Sequence, residues 1–178
     1  TQGNDNVGYY HNYSDLYAVE RVDGQPAFTK VLRGNKDLTW EKSNNFNVGV
    51  ELGLWNWLDF NVDFFIKETK DMLYYSPLAP SQGSPSGIYR NEMDMKNTGI
   101  EFELNANIFD RDNFKWNVAL NGTHYKNELT KLPISKPADK YPDGYQSGLY
   151  WRKLGGSLYD FYVYEYAGVD PSNGKPLY

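Results

Sequence analysis

Residues 58–66 read LDFNVDFFI, with an apolar side chain at every second position. In an extended chain, Leu58, Phe60, Val62, Phe64 and Ile66 share one face. Apart from Phe65, the residues of the opposite face are polar. The longer repeat of a helix would scatter these positions around its surface. The stretch therefore predicts a β-strand with one apolar and one polar face.

Three further segments, residues 46–54, 100–108 and 114–121, show the same alternation. Together with the first stretch they predict four strands that are joined in chain order. The predicted strands cover about 42–55, 57–73, 96–108 and 114–126. This arrangement is an all-β, antiparallel up-and-down meander.

Short and long connections alternate between these strands. Residues 55–57 and 109–113 form short turns, whereas residues 74–94 and the chain beyond residue 127 are long stretches rich in Ser, Pro and Gly. Tight periplasmic turns and long extracellular loops alternate in this way in outer-membrane β-barrels. A compact soluble domain seldom carries structureless loops of this length. The alternation of short and long connections therefore favours a transmembrane barrel.

The flanks carry weaker patterns. We predict that residues 1–40 form an extracellular loop with short strands. Residues 127–178 are predicted to form a long extracellular loop with a short Tyr-rich strand. With the four strands of residues 41–126, these flanks would make one partial barrel domain.

On the barrel interpretation, the two faces of each strand meet different surroundings. The apolar face of one strand spans about 27 Å, or roughly 20 Å of height when tilted, which is close to the ~25 Å apolar band of such barrels. The predicted lipid-facing residues are Val48, Val50, Leu52, Leu58, Phe60, Val62, Phe64, Ile100, Phe102, Leu104, Trp116 and Val118. The predicted lumen-facing residues are Glu51, Asp59, Asn61, Asp63, Glu101, Glu103 and Asn105.

A water-soluble sandwich shows the same alternation, because its apolar face is buried between two sheets. The alternative hypothesis is therefore a soluble all-β carbohydrate-binding module that uses Tyr and Trp side chains as its platform. The candidate loop contacts with a substrate or partner are Tyr145, Tyr150, Trp151, Tyr162 and Tyr164. An exposed ring buries much area at little entropic cost, but the same rings could instead pack the loops against one another.

Composition excludes several classes of function. The 178 residues include 23 acidic and 18 basic side chains and no cysteine. The formal charge of -5 argues against a nucleic-acid binder, and the lack of cysteine excludes disulfides, thiolate metal sites and thiol catalysis. Neither an initiator Met nor a signal peptide is present, so we expect a mature or excised piece.

Chemistry at a catalytic site is not indicated either. The carboxylates of the polar face could form the acid–base pair of a glycosidase, a third hypothesis. Such pairs need burial to separate their pKa values, whereas a solvated lumen wall explains the same residues. His11 and His124 have no partner at a metal-ligand spacing. We predict no catalytic residue, no metal and no cofactor.

Five segments, taken in order, carry a resemblance to SusC-like TonB-dependent transporters of the SusC/RagA type. They are GNKDLTWEK (34–42), VDFFIKETKDML (62–73), MKNTGIEFEL (95–104), KNELTKL (126–132) and YEYAGVDPSNGKPLY (164–178). The first resembles the family's NPxLxWE motif, with Lys36 where the family usually has Pro. The last resembles its YxxAGVDPxTGxPLY segment.

The resemblance implies that this chain is a late portion of a barrel of about 22 strands that encloses a plug domain. Such proteins import glycans or peptides across the bacterial outer membrane. The implied partners are a SusD-like surface lipoprotein, a TonB complex reached through N-terminal parts that are absent here, the cargo, and lipid or lipopolysaccharide. Nucleic acid is not an expected partner.

Overall fold

A computed structural model of the chain describes residues 2–4, 12–83 and 87–178, so His11 lies outside the described residues. The strands are β1 (Gln2–Asn4), β2 (Leu16–Val22), β3 (Gln25–Leu32), β4 (Glu41–Leu54), β5 (Leu58–Pro77), β6 (Gly87–Arg111), β7 (Phe114–Lys131), β8 (Tyr145–Ser147), β9 (Tyr150–Arg152), β10 (Gly168–Val169) and β11 (Pro176–Leu177). A short 3-10 helix spans Pro80–Gln82. Within these ranges no helix is long and apolar enough to cross a bilayer.

Five strands form the main sheet in the order β1-β4-β5-β6-β7. Neighbouring strands pair antiparallel throughout. The all-β meander expected from the alternation is confirmed. β1 falls in the flank predicted as an extracellular loop with short strands, and it pairs with the start of β4, which extends the sheet by one strand.

The strands continue beyond the ends expected from the sequence. β5 and β6 pair as far as Pro77 with Gly87, so most of residues 74–94, expected as a long loop, belongs to the ladder. Asp71 has a φ of 57° and marks a bulge, and its N–H donates to Asp94 Oδ1 at 2.9 Å. An extra residue in one strand reverses the side-chain parity beyond it. The apolar alternation of β5 ends at Ile66, before the bulge, whereas the strand continues to Pro77.

Aromatic side chains gather at the short-turn end of the sheet. Trp55 and Trp57 stack with ring centroids 6.2 Å apart across the β4–β5 turn. A register shift between Asn107 and Phe109 aligns Phe109 with Trp116, and their rings lie 6.0 Å apart. Tyr and Trp concentrate at membrane–water interfaces because their rings combine an apolar body with a polar atom.

The buried core lies at the opposite, long-loop end. It consists of Met93, Leu129, Leu132, Tyr145 and Leu158. Strands β6 and β7 supply the first two of these side chains, and the chain after β7 supplies the rest. Core formation therefore depends on the long segment that follows the sheet.

Two peripheral segments differ in regularity. β2 and β3 form a hairpin whose turn residues Asp23 and Gly24 have φ values of 51° and 82°, as primed hairpin turns require. The Tyr-rich segment of residues 158–167, predicted as a strand, makes only an isolated bridge between Phe161 and Tyr150. Leu158 and Tyr159 lie in a turn, and residues 162–167 form no ladder.

Candidate functional site: a two-faced sheet and its loop end

The ladder register places the predicted lipid-facing side chains on one face of the sheet. Val50 pairs with Val62, and Val62 pairs with Phe102, and directly paired residues of antiparallel strands point to the same side. The next residue in this row is Gly122, where a Cβ atom would lie 2.5 Å from the Phe102 ring. Gly122 thus leaves the space that the ring occupies.

No part of the described chain covers this apolar face. None of the predicted lipid-facing residues is buried, and Val50 keeps 58% of its surface exposed. A soluble sandwich would bury these side chains under a second sheet. The sandwich alternative is therefore not favoured.

The predicted lumen-facing residues occupy the opposite face. Glu51 pairs with Asn61, which pairs with Glu103, and Asn105 Nδ2 donates to Glu103 Oε1 at 2.9 Å. In the next row Asp63 lies directly opposite Glu101, a like-charge pair that destabilises a sheet unless water screens it. Both carboxylates are exposed, so solvent can screen them.

A shallow cavity of about 250 Å³ lies between these acids. Gly49 leaves room for the Asp63 carboxylate, since a Cβ there would overlap Asp63 Oδ1. No group of three or more His, Asp or Glu side chains in the described ranges could hold a metal ion. The geometry is that of a hydrated, acidic surface.

Beyond β7 the chain folds back over the polar face. Leu129 exchanges two main-chain hydrogen bonds, each of 2.8 Å, with Gly155 and Gly156. Asn127 Oδ1 accepts from the Leu158 N–H at 2.8 Å, and its Nδ2 donates to Asn97 Oδ1 at 2.6 Å. Asn127 and Asn97 are paired residues of β7 and β6. Asn127 therefore connects residues 153–160, the returning segment, to the sheet through side-chain hydrogen bonds.

One of the predicted loop contacts, Tyr145, is buried in the core at the long-loop end. Tyr145 was expected as a surface contact, but only 6% of it is exposed, and its ring packs 6.0 Å from Tyr141. Burial raises the pKa of the Tyr145 hydroxyl to about 12, with the proximity of Tyr74 adding to the shift and Arg152 opposing it. Tyr145 is buried because segments that are distant in the sequence pack around it. It therefore stabilises the loop as a core residue.

The other predicted loop aromatics lie nearer the surface. Tyr150 packs 5.6 Å from Phe161, and Trp151 packs 4.8 Å from Tyr162. Trp151 Nε1 also donates to the Asp143 carbonyl at 2.8 Å. Tyr164 is 86% exposed and is the most accessible of the set.

Of Tyr125 and Tyr159, the sequence pointed only to Tyr159, as the first residue of a Tyr-rich cluster (159–166) near the predicted extracellular loop. They are 62% and 61% exposed, and both line a cleft between β7 and the returning segment. The alternation of β7, continued past Asn121, places Tyr125 on the polar face and could have identified it. Nothing local in the sequence brings Tyr159 to the same cleft.

Comparison with known proteins identifies the class. Residues 3–176 match the family described as TonB dependent receptor-like, beta-barrel. Because the match covers nearly the whole chain, the chain belongs to this family, and the resemblance inferred from the five segments is confirmed.

Individual members of this family are similar to the chain over nearly its whole length. TonB-dependent receptor P39 of Formosa agariphila is 32% identical over 96% of this chain and 16% of its own length. TonB-dependent receptor SusC of Bacteroides thetaiotaomicron is 27% identical over 98% of this chain and 19% of its own. The RagAB peptide importer in its closed-closed state superposes with a TM-score of 0.77 and 30% identity, over 98% of this chain and 19% of that one. The chain spans less than a fifth of these relatives.

Proposed function

We propose that this chain is a stretch of barrel wall in a TonB-dependent transporter that imports glycans or peptides across the bacterial outer membrane. In this proposal Val50, Val62 and their neighbours face lipid, and Glu51, Asp63 and Glu101 line a hydrated lumen. The uncovered apolar face is the observation that carries the proposal. In water, leaving such a continuous apolar surface exposed would lower the stability and solubility of a protein.

The same orientation assigns the two ends of the sheet. The aromatic turns at Trp55 and Phe109 would lie at the periplasmic interface, and the loop core would lie at the extracellular side. A SusD-like surface lipoprotein would meet the long-loop end. The TonB complex would act through parts of the transporter that lie outside this sequence. Lipid or lipopolysaccharide would contact the apolar face.

The role proposed for these residues is passive rather than catalytic. The carboxylates of the polar face would give the lumen a negative lining that attracts cations and repels anions at short range, within about 10 Å at ordinary salt. Their exposure to water gives them no feature of an acid–base pair. The cargo would pass over this surface without covalent change.

Two measurements on the full-length transporter test the proposal. Deleting its gene should abolish uptake of at least one labelled probe in a panel of oligosaccharides and short peptides, and restoring the gene should recover it. The protein should also enter the membrane fraction and require detergent for extraction. Recovery of the full-length protein from plain buffer, or unchanged uptake of every probe, would contradict the proposal.

A further inference from the structure

Each of the four long strands carries a lysine just beyond its apolar residues, at the long-loop end of the apolar face. These residues form a lysine belt that consists of Lys42 in β4, Lys70 in β5, Lys96 in β6 and Lys126 in β7. In β4, β5 and β6 the lysine stands four residues beyond the last apolar residue of that face, which is Phe46, Ile66 or Ile100. In β7 it stands four residues beyond Gly122, against which the Phe102 ring lies. The belt therefore follows the edge of the apolar surface.

The ladder register places the belt on the same side of the sheet as the apolar residues. An even number of residues keeps a side chain on one face of a strand, and directly paired residues point to the same side. Lys42 is paired with Lys70, and Lys96 is paired with Glu68 and Glu128. The side chains of Lys42, Lys70 and Lys126 are 55%, 52% and 69% exposed.

Neighbouring carboxylates balance the charge of the belt only in part. In the described part of the chain, the ion pairs of these lysines are Lys42–Asp71 at 2.9 Å, Lys70–Glu68 at 3.7 Å and Lys126–Glu128 at 2.7 Å. Exposed ion pairs of this kind hold their partners weakly, so a stronger anion can compete with the carboxylates. Lys42 and Lys70 lie directly opposite each other. An anion placed over both would relieve the repulsion between like charges.

The height of the belt matches the polar boundary of a bilayer. Four residues of strand span about 14 Å, or roughly 10 Å of height at the usual tilt of barrel strands. The belt therefore stands at the level of the lipid headgroups, outside the apolar band. A lysine stem can lie along apolar surface while its ammonium reaches the headgroups. At the short-turn end, stacked Trp and Phe rings occupy the edge of the apolar band instead.

A lipid with both acyl chains and phosphate groups would complement the two parts of this surface. The acyl chains would cover the apolar face, and the phosphates would meet the belt. Lipopolysaccharide of the bacterial outer leaflet has this chemistry in its lipid A part, where a disaccharide carries acyl chains and phosphates. The lysine ammonium binds phosphate as a compact charge, and each lysine beside an anionic lipid surface strengthens the attachment. A lipid without net charge would leave the belt without an anion.

We propose that the lysine belt binds the lipid A phosphates of lipopolysaccharide in the outer leaflet. Lys42 and Lys70 hold one phosphate between them, and Lys96 and Lys126, which are diagonal neighbours on β6 and β7, hold a second. The acyl chains of the same molecule lie on the apolar face below. The inference rests on the proposed transport function, because it requires a barrel in that membrane, and it assigns the lipid partner to defined side chains.

Binding of lipid A by the purified full-length transporter in detergent tests the belt. Bisphosphorylated lipid A is compared with dephosphorylated lipid A that carries the same acyl chains. We expect the transporter to prefer the phosphorylated form about a hundredfold. The double variants Lys42→Gln/Lys70→Gln and Lys96→Gln/Lys126→Gln should each reduce that preference about tenfold. Mobility on unheated gels verifies that both variants are folded.

Lys67→Gln is the matched control, because Lys67 belongs to β5 like Lys70 but lies on the polar face, paired with Asn45 and Asn97. It should leave the preference unchanged. Equal binding of both forms of lipid A by the wild type, or equal losses from Lys67→Gln and the belt variants, would overturn the belt. Displacement by millimolar inorganic phosphate would assign the lysines to free phosphate and overturn the lipid assignment.

The same variants separate the belt from the transport function. Loss of uptake on gene deletion, together with lipid A binding that both belt variants leave unaltered, would refute the belt and leave transport standing. Unchanged uptake of every probe on gene deletion, together with weakened lipid A binding by the belt variants, would contradict the transport function and retain the lipid site.

Discussion

Val50 and Leu129 lie in the same sheet, yet Val50 is 58% exposed and Leu129 is fully buried. The middle of the sheet has two open faces, whereas its long-loop end is folded around a core of five buried side chains. Apolar burial stabilises a fold only where something covers the apolar surface. The loop end obtains its cover from this chain, and the middle of the sheet must obtain it from outside. Changes in the two regions should therefore have effects of different kinds.

The largest effect is expected for a charge on the uncovered apolar face. Val62→Arg would place a guanidinium in the middle of the proposed lipid-facing surface, at a cost of up to about 4 kcal/mol. Folded full-length transporter in the outer-membrane fraction, detected by its altered mobility on unheated gels, should fall severalfold. The change tests whether the hydrocarbon of the membrane covers the exposed apolar face of the sheet.

Asn61→Arg provides the control one residue away. Asn61 pairs with Glu51 and Glu103 on the polar face, where a cation finds water and neighbouring carboxylates. This variant should fold to the level of the wild type. Equal losses from both variants, or a normal amount of folded Val62→Arg protein, would remove the proposed difference between the two faces.

Much of the middle of the sheet could be predicted from the sequence because one rule governs it. Side chains alternate between two environments, so the faces to which Val50 and Glu51 belong follow from counting. The family resemblance then indicated that these strands belong to a larger barrel. The number of strands in that barrel was inferred from the family alone. Which solvent meets each face is not contained in the alternation itself.

The loop end was harder to predict because its structure depends on distant contacts. Asp71 adopts a positive φ that shifts the register, and no local pattern marks that bulge. The buried position of Tyr145 arises from packing among segments far apart in the chain. The Tyr-rich segment near Phe161 has strand-like alternation but follows β9 through only a few hydrogen bonds. Propensity there is overridden by tertiary structure.

A smaller effect is expected when the loop end is made alkaline. The neutral hydroxyl of Tyr145 is favoured in the folded loop, where its pKa is raised to about 12. Below pH ~10 the hydroxyl is neutral in both the folded and the unfolded loop. As the pH rises towards ~12, the folded loop loses up to about 3 kcal/mol of stability, because the hydroxyl ionises more readily in the unfolded loop. Cleavage of residues 132–158 by proteinase K should accelerate over this range in the full-length transporter.

The Tyr145→Phe variant separates this residue from the other tyrosines of the chain. It keeps the ring in the core and removes the titrating hydroxyl, so the additional cleavage above pH ~10 should diminish. Cleavage at the short turns of residues 55–57 and 112–113 serves as the internal reference, since those residues do not pack on Tyr145. An identical pH profile in the variant would show that another group controls opening of the loop.

The smallest effect is expected at the side chain that joins the two regions. Asn127→Ala removes the hydrogen bond that Asn127 donates to Asn97 and those that it accepts from Ser157 and Leu158. The change should destabilise the docked segment by about 1–2 kcal/mol. Hydrogen exchange at the Leu158 amide of the full-length transporter should then accelerate roughly tenfold.

Asn121→Ala is the corresponding change lower on the same face of β7, and it should leave the Leu158 amide protected. If Asn127→Ala also leaves that protection intact, the buried side chains and the main-chain hydrogen bonds of Leu129 are sufficient to hold the segment. If exchange rises throughout the sheet as well, the two regions form one cooperative unit. A local increase confined to residues 155–160 would establish that the loop end opens independently of the wall, because only the fastening between them was removed.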